Sequence, residues 1–137
     1  MRGKSILLVS IREFTPKTHR VTPIEKKKEF RNRMLAKIDN IPAIQELSRG
    51  KPLSVAVCFY LYGGSAEEGR AKKDLDNLLK IVLDTLADHL DRRHTEAGLG
   101  LIEEDGDHLI FELCASKKLV TDPKEEGIDL EIFEWIE

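Results

Sequence analysis

An unbroken apolar stripe between residues 75 and 90 is the strongest constraint on how this chain folds. Leu75, Leu78, Leu79, Val82, Leu83, Leu86 and Leu90 recur three and four apart, the spacing that lines one side of an α-helix. Asp76, Asn77, Lys80, Asp84 and Asp88 stand between them, so the other side is polar. Such a helix is stable only with its stripe against a second layer, because propensity alone holds few helices of this length in water.

The chain offers strands to be that layer. Residues 5–11 are apolar and β-branched, which suits a strand buried on both faces. Residues 53–62 put Val55, Val57, Phe59 and Leu61 on one face, and residues 128–136 alternate as a last strand. Residues 101–120 read as strand interrupted at 103–107. A first helix is announced by Thr22-Pro23-Ile24-Glu25: threonine caps, proline takes the first helical position and Glu25 completes a capping box. Phe30, Met34 and Ile38 give that helix its core stripe as far as Asp39-Asn40; Pro42 ends or kinks it, and residues 43–47 add at most a further turn. The order β-α-β-α-β-β predicts one α+β domain over residues 1–137, a mixed sheet with two main helices packed on it. Residues 63–72, glycine-rich at their start, and the polar stretch 91–100 are expected as mobile loops, with Gly98 and Gly100 marking a turn.

Composition excludes a few classes. No stretch approaches the ~20 consecutive apolar residues of a membrane span. Cys58 and Cys114 sit inside apolar runs without metal-type spacing, so both are expected as buried, reduced thiols of a cytosolic protein. The net charge of −3 hides an asymmetry: residues 1–37 carry +8 and the remainder −11. A basic N-terminal face, including Lys17, Arg20, Lys26, Lys27, Arg31 and Arg33, suits phosphate contacts; solvation of one helix side explains the same residues.

The chemistry concentrates in Lys72-Lys73-Asp74-Leu75-Asp76-Asn77-Leu78-Leu79-Lys80. In an extended segment Asp74 and Asp76 point the same way while Leu75 faces inward. Two such carboxylates repel unless a cation lies between them, and a hard ion such as Mg²⁺ prefers oxygen donors of this kind. Asp76 or Asn77 also suits the cap of the following helix. Lys80, four residues after Asp76, shares its side of the first turn and is placed to neutralise charge developing on a phosphate. Lys72 and Lys73 offer phosphate contacts. The acidic run Glu103-Glu104-Asp105-Gly106-Asp107 is the candidate source of a third carboxylate, and equally an ordinary hairpin tip. A capped helix and a solvated turn account for a bare Asp-x-Asp as well; Asn77, Lys80 and the separate acidic run favour the metal site.

Other residues invite less. His89 and His94 are five apart around a helix end and should not share a face, so no zinc site is expected there. His108 flanks the acidic run and reads as a half-buried strand histidine. Phe14 is either a core residue or an aromatic wedge for nucleic acid. Phe133 and Trp135 cover the sheet or a dimer seam.

Lys73 to Lys80, followed by Asp84, Leu86 and the Ile102-Glu103-Glu104-Asp105 run, resembles the signature of the RusA-type Holliday junction resolvases, tightly over residues 73–86 and loosely over 102–110. The resemblance implies a dimeric, phage- or prophage-associated DNA endonuclease that acts in the cytoplasm at the nucleoid and cuts four-way junctions by paired symmetric cuts. It implies Mg²⁺, with Mn²⁺ able to substitute, held by Asp74, Asp76 and Asp105, with Lys80 as the catalytic lysine. Asp107 is the fallback third ligand and Glu104 a further one. Lys73 falls on a DNA-contacting position; Lys72, Lys17, Arg20, Lys27 and Arg31 are the other expected DNA contacts. The chain departs from the pattern by a longer link through residues 92–100, an insertion at 63–69, the lack of the family's proline- and asparagine-rich N-terminal motif and an acidic overall balance. These departures leave open a branched-DNA-binding protein of the same fold with little or no activity, or another metal-dependent phosphodiesterase.

Overall fold

The computed structural model describes residues 1–16, 22–63, 75–104 and 106–137, without the side chain of Asp107. The expected loop 63–72 and the candidates Lys17, Arg20, Lys72, Lys73, Asp74 and Asp105 therefore lie wholly or largely outside the described residues. The elements are β1 (Arg2–Arg12), α1 (Pro23–Leu35), α2 (Ile41–Ser48), β2 (Leu53–Tyr62), α3 (Leu75–Leu86), β3 (Ile110–Val120) and β4 (Gly127–Trp135), with 3₁₀ turns at Gly106–Leu109 and Pro123–Glu125. The architecture is α+β, a single mixed sheet of order β1-β4-β2-β3. β4 runs antiparallel to both β1 and β2, while β2 and β3 are parallel. A parallel pair needs a crossover, and α3 supplies it.

Period-two alternation decides the faces. Leu7, Val9 and Ile11 of β1, Val55, Val57, Phe59 and Leu61 of β2, and Ile128, Leu130 and Ile132 of β4 are buried toward the helices. The stripe of α3 meets them through Leu78, Ile81, Val82 and Leu86, and α1 adds Phe30 and Met34. Among the described residues the opposite face of the sheet carries no helix, and the expectation that β1 is buried on both faces is corrected: Leu8 is 67% exposed. An edge strand with one layer above it has only one face to bury. β3, the other edge, is charged at Glu112, Lys117 and Lys118, which discourages edge-to-edge pairing.

The helix starts follow local chemistry. Thr22 caps α1, its hydroxyl accepting the Glu25 N–H at 3.3 Å, with Pro23 inside the first turn. The Glu25 carboxylate lies 3.7 Å from Lys28. Pro42 does not simply end α1. It sits in the first turn of a separate helix, α2, capped by Asn40, whose side chain accepts the Ala43 N–H at 3.1 Å. Proline lacks an N–H that the first turn could not use in any case, so the same residue that breaks one helix begins the next.

Residues 101–109 also differ from expectation. Leu101 and Ile102 are buried but form no strand; both donate to the carbonyl of Leu86, at 2.8 and 3.0 Å. The acidic run thus leads from the end of α3 into β3 rather than capping a hairpin. His108 is exposed in the 3₁₀ turn rather than half-buried in a strand. Among the described residues no helix is long and apolar enough to cross a membrane.

Candidate functional site

α3 organises the site from both ends. Asp76 and Lys80 lie in its first two turns, both exposed, one turn apart on one side. Neither has a hydrogen-bond or ion-pair partner among the described residues. Asp76 and Asn77 are inside the helix rather than at its cap, because the helix already includes Leu75. The strand-type argument for a shared direction with Asp74 therefore does not extend to Asp76. A carboxylate in the first turn is favoured by the helix dipole.

At the other end the polar stretch 87–104 folds back on the helix. The N–H groups of Gly98, Leu99 and Gly100 donate to the carbonyls of Asp88, Thr85 and Ala87, each within 3.0 Å. Residues 91–100, expected as a mobile loop, are thus tied to the last turn of α3. Close approach explains Gly98: a Cβ there would stand 2.1 Å from the Ala87 carbonyl oxygen. Arg49 braces the fold-back, donating to the Asp88 carboxylate at 2.6 Å and to the Gly100 carbonyl at 2.8 Å. That hydrogen bond holds the Asp88 carboxyl below the usual aspartate range, against the opposing effect of burial. Asp88 also accepts from the Glu104 backbone N–H.

The fold-back brings together two histidines that sequence spacing sets apart. The rings of His89 and His94 stack, centroids 4.1 Å apart and planes 7° from parallel. Glu104 faces both, its oxygens 3.4 Å from His89 Nδ1 and 3.2 Å from His94 Nε2. The expectation that they do not share a face rests on their spacing of five around a helix end, which the chain reversal overrides. The helix ends at Leu86, His89 pairs with Ala97 as an antiparallel bridge, and His94 turns with a φ of 56°. No local pattern announces such a reversal; only the polar composition of 91–97 and the two glycines after it hint at it.

A cleft of about 430 Å³ runs beside this end of α3, lined by Lys27, Lys80, Asp84, His89, Arg92 and Glu104 among others. It joins Lys80 of the sequence motif to the histidine–glutamate group. The expected phosphate contacts of α1 are already engaged within the chain. Lys27 lies 2.7 Å from Asp84 and Lys26 3.0 Å from Glu29, while Lys28 lies 3.1 Å from Glu96. Arg31 donates to the Ala97 carbonyl at 2.9 Å, and Arg33 to the carbonyls of Arg12 and Glu13. Phe14 is a core residue, 1% exposed and 5.7 Å from the Phe30 ring, with the Lys26 ammonium 4.8 Å above it.

The uncovered face of the sheet holds a second concavity, about 350 Å³, between Leu8, Cys58, Cys114 and Glu131. It lies across the sheet from α3 and contains no residue of the motif. Cys58 is half-buried and Cys114 exposed, so the expectation of two buried thiols is corrected; both are free. Nearby, Asp129 accepts from Tyr60 at 2.8 Å and Ser10 at 2.5 Å and pairs with Arg12 at 2.8 Å. The hydrogen bond to Asp129, with some burial, pushes the Tyr60 hydroxyl up to about 12. At the other end of this face Arg2 pairs with Glu112 at 2.7 Å and lies 4.8 Å over the Phe133 ring, while Trp135 sits 6.4 Å from Phe111. Phe133 and Trp135 thus serve this face of the sheet.

No family model matches the chain, and no curated protein matches it as a relative.

Proposed function

We propose that the chain is a Mg²⁺-dependent endonuclease that resolves four-way DNA junctions in the manner of the RusA-type resolvases. The observation that carries the reading is the placement of Asp76 and Lys80 one turn apart on one exposed side of α3, with Lys80 lining the cleft. An acid and a base one turn apart suit a metal-bound phosphodiester, the carboxylate holding the ion and the ammonium facing the phosphate. The donor chemistry fits: with Asp74 and Asp105, which lie outside the described residues, Asp76 would offer an oxygen-only set of the kind a hard cation takes. Bound there, Mg²⁺ would supply an activated water and stabilise the leaving oxygen. The chain's own part is to hold the ion through Asp76 and its partners, to neutralise the phosphate through Lys80 and to position the strand through Lys72, Lys73 and Arg92. A two-fold homodimer would match the symmetry of a four-way junction and deliver paired cuts.

The test is cleavage of a mobile four-way junction with Mg²⁺, beside linear duplex and the Asp76→Asn protein. Symmetric nicks on the junction alone, absent in Asp76→Asn, are the expected result. Equal cleavage by Asp76→Asn would exclude the mechanism.

A second reading, a metal-dependent phosphodiesterase for small substrates, draws support from the engaged cations of α1. Lysines already paired with carboxylates give little electrostatic hold on a long polyanion. Hydrolysis of bis(p-nitrophenyl) phosphate that junction DNA does not compete away would favour it.

A further inference from the structure

We propose that His89, His94 and Glu104 form a binding site for a borderline transition-metal ion, Zn²⁺ or Co²⁺, at the C-terminal end of α3. The ligand atoms of all three lie within 4.8 Å of one another. Tetrahedral zinc with bonds of about 2.0–2.2 Å sets its ligand atoms roughly 3.3–3.6 Å apart. The two imidazole–carboxylate separations, 3.4 Å to one Glu104 oxygen and 3.2 Å to the other, are close to that edge, and small side-chain rotations bring the three ligands around one ion. Each of the stacked rings sets one nitrogen against the Glu104 carboxylate, His89 Nδ1 on one oxygen and His94 Nε2 on the other.

Each ligand is held by its own backbone device. His89 is fixed by the bridge to Ala97. His94 occupies a left-handed conformation in a turn that Asp91 clasps through the Thr95 N–H at 3.0 Å and the Thr95 hydroxyl at 2.6 Å. Glu104 hangs from Asp88, which Arg49 braces. A non-glycine residue kept in that backbone region carries strain, and strain collects where a side chain must be aimed. Preorganised ligands lose little freedom when the ion arrives.

Two imidazoles and one carboxylate suit Zn²⁺ or Co²⁺ and not Mg²⁺, so this site is chemically separate from the oxygen-only set of the motif and does not rest on the nuclease reading. Three protein ligands leave a fourth position open. His89 and Glu104 both line the cleft that carries Lys80 and Arg92, so water or an anionic oxygen ligand can complete the coordination.

The experiment titrates the whole purified protein with Co²⁺, read by visible d–d absorption, and then displaces it with Zn²⁺. One Co²⁺ per chain is expected, with affinity reduced about 100-fold in His94→Asn, as much as outer-shell losses at metal sites reach. Asparagine adopts the left-handed conformation readily, so this variant keeps the turn while losing the imidazole. Glu104→Gln should weaken binding similarly, and Asp76→Asn should leave it unchanged. Absence of Co²⁺ binding, binding untouched in both His94→Asn and Glu104→Gln, or binding lost only in Asp76→Asn would each overturn the proposal.

Discussion

The two ends of α3 solve opposite problems. At the N-terminal end Asp76 and Lys80 stand in solvent, one turn apart, without a partner among the described residues. At the C-terminal end Thr85, Ala87 and Asp88 accept the backbone of residues 98–100, Arg49 crosses from α2, and His89 is stacked. One end is chemistry laid on a helix surface; the other is chemistry assembled by a chain reversal. Substitutions at the first end should therefore alter activity and spare stability, whereas those at the second should alter both.

Gly98→Ala is the sharpest test of that contrast. Its methyl group would meet the Ala87 carbonyl at 2.1 Å, against backbone that cannot turn aside. Urea denaturation should register a loss of about 2–3 kcal/mol, as for overpacked sites. A loss below about 0.5 kcal/mol, the level of ordinary surface changes, would mean that the fold-back is not held against α3.

Acid should find the same end next. Asp88 titrates below its ordinary value of 3.8 when folded, chiefly because Arg49 donates to it. Its contribution is then complete above that ordinary value and is lost as pH falls through the lowered one. The stability gap between wild type and Arg49→Ala should accordingly narrow on acidification from neutrality to below pH 3.8. A gap unchanged by pH would assign Arg49 a role independent of the Asp88 charge.

The smallest effects belong at the other end. Asp76→Asn and Lys80→Ala should each change unfolding free energy by no more than about 0.5 kcal/mol, as exposed helix positions do. A drop of several times that in either would show that the motif braces the fold, and the two ends of α3 would no longer differ.

The same contrast explains what was legible beforehand. Alternation reads β2 well, since Val55, Val57, Phe59 and Leu61 share a face by a rule that needs no tertiary knowledge. Thr22 and the leucine stripe of α3 are similarly local, as is the one-turn relation of Asp76 to Lys80. What escapes local rules is whatever the crossover decides. Val55 faces Leu113 because α3 carries the chain over to a parallel register, so the 101–120 stretch, pictured as two strands around a tip, became one strand and a wrapped segment. His89 and His94 meet for a like reason: their neighbourhood depends on hydrogen bonds to Thr85, Ala87 and Asp88 that no spacing encodes. Pro42 is ambiguous in itself, since the same ring disfavours a helix interior and favours its start; Asn40 decides between them.

The place of β4 has a consequence for the order of events in folding. The last strand in the chain lies between the first and the second, with Arg2 opposite Trp135 and Phe59 opposite Ile128. During synthesis β1 and β2 emerge long before the strand that joins them exists, and each carries an apolar face with nothing to zip against. The sheet must close late, across almost the whole contour of the chain, which is the slow kind of closure. Until then those two strands are the stretches a chaperone would have to shield, and the ones through which half-made molecules would find each other.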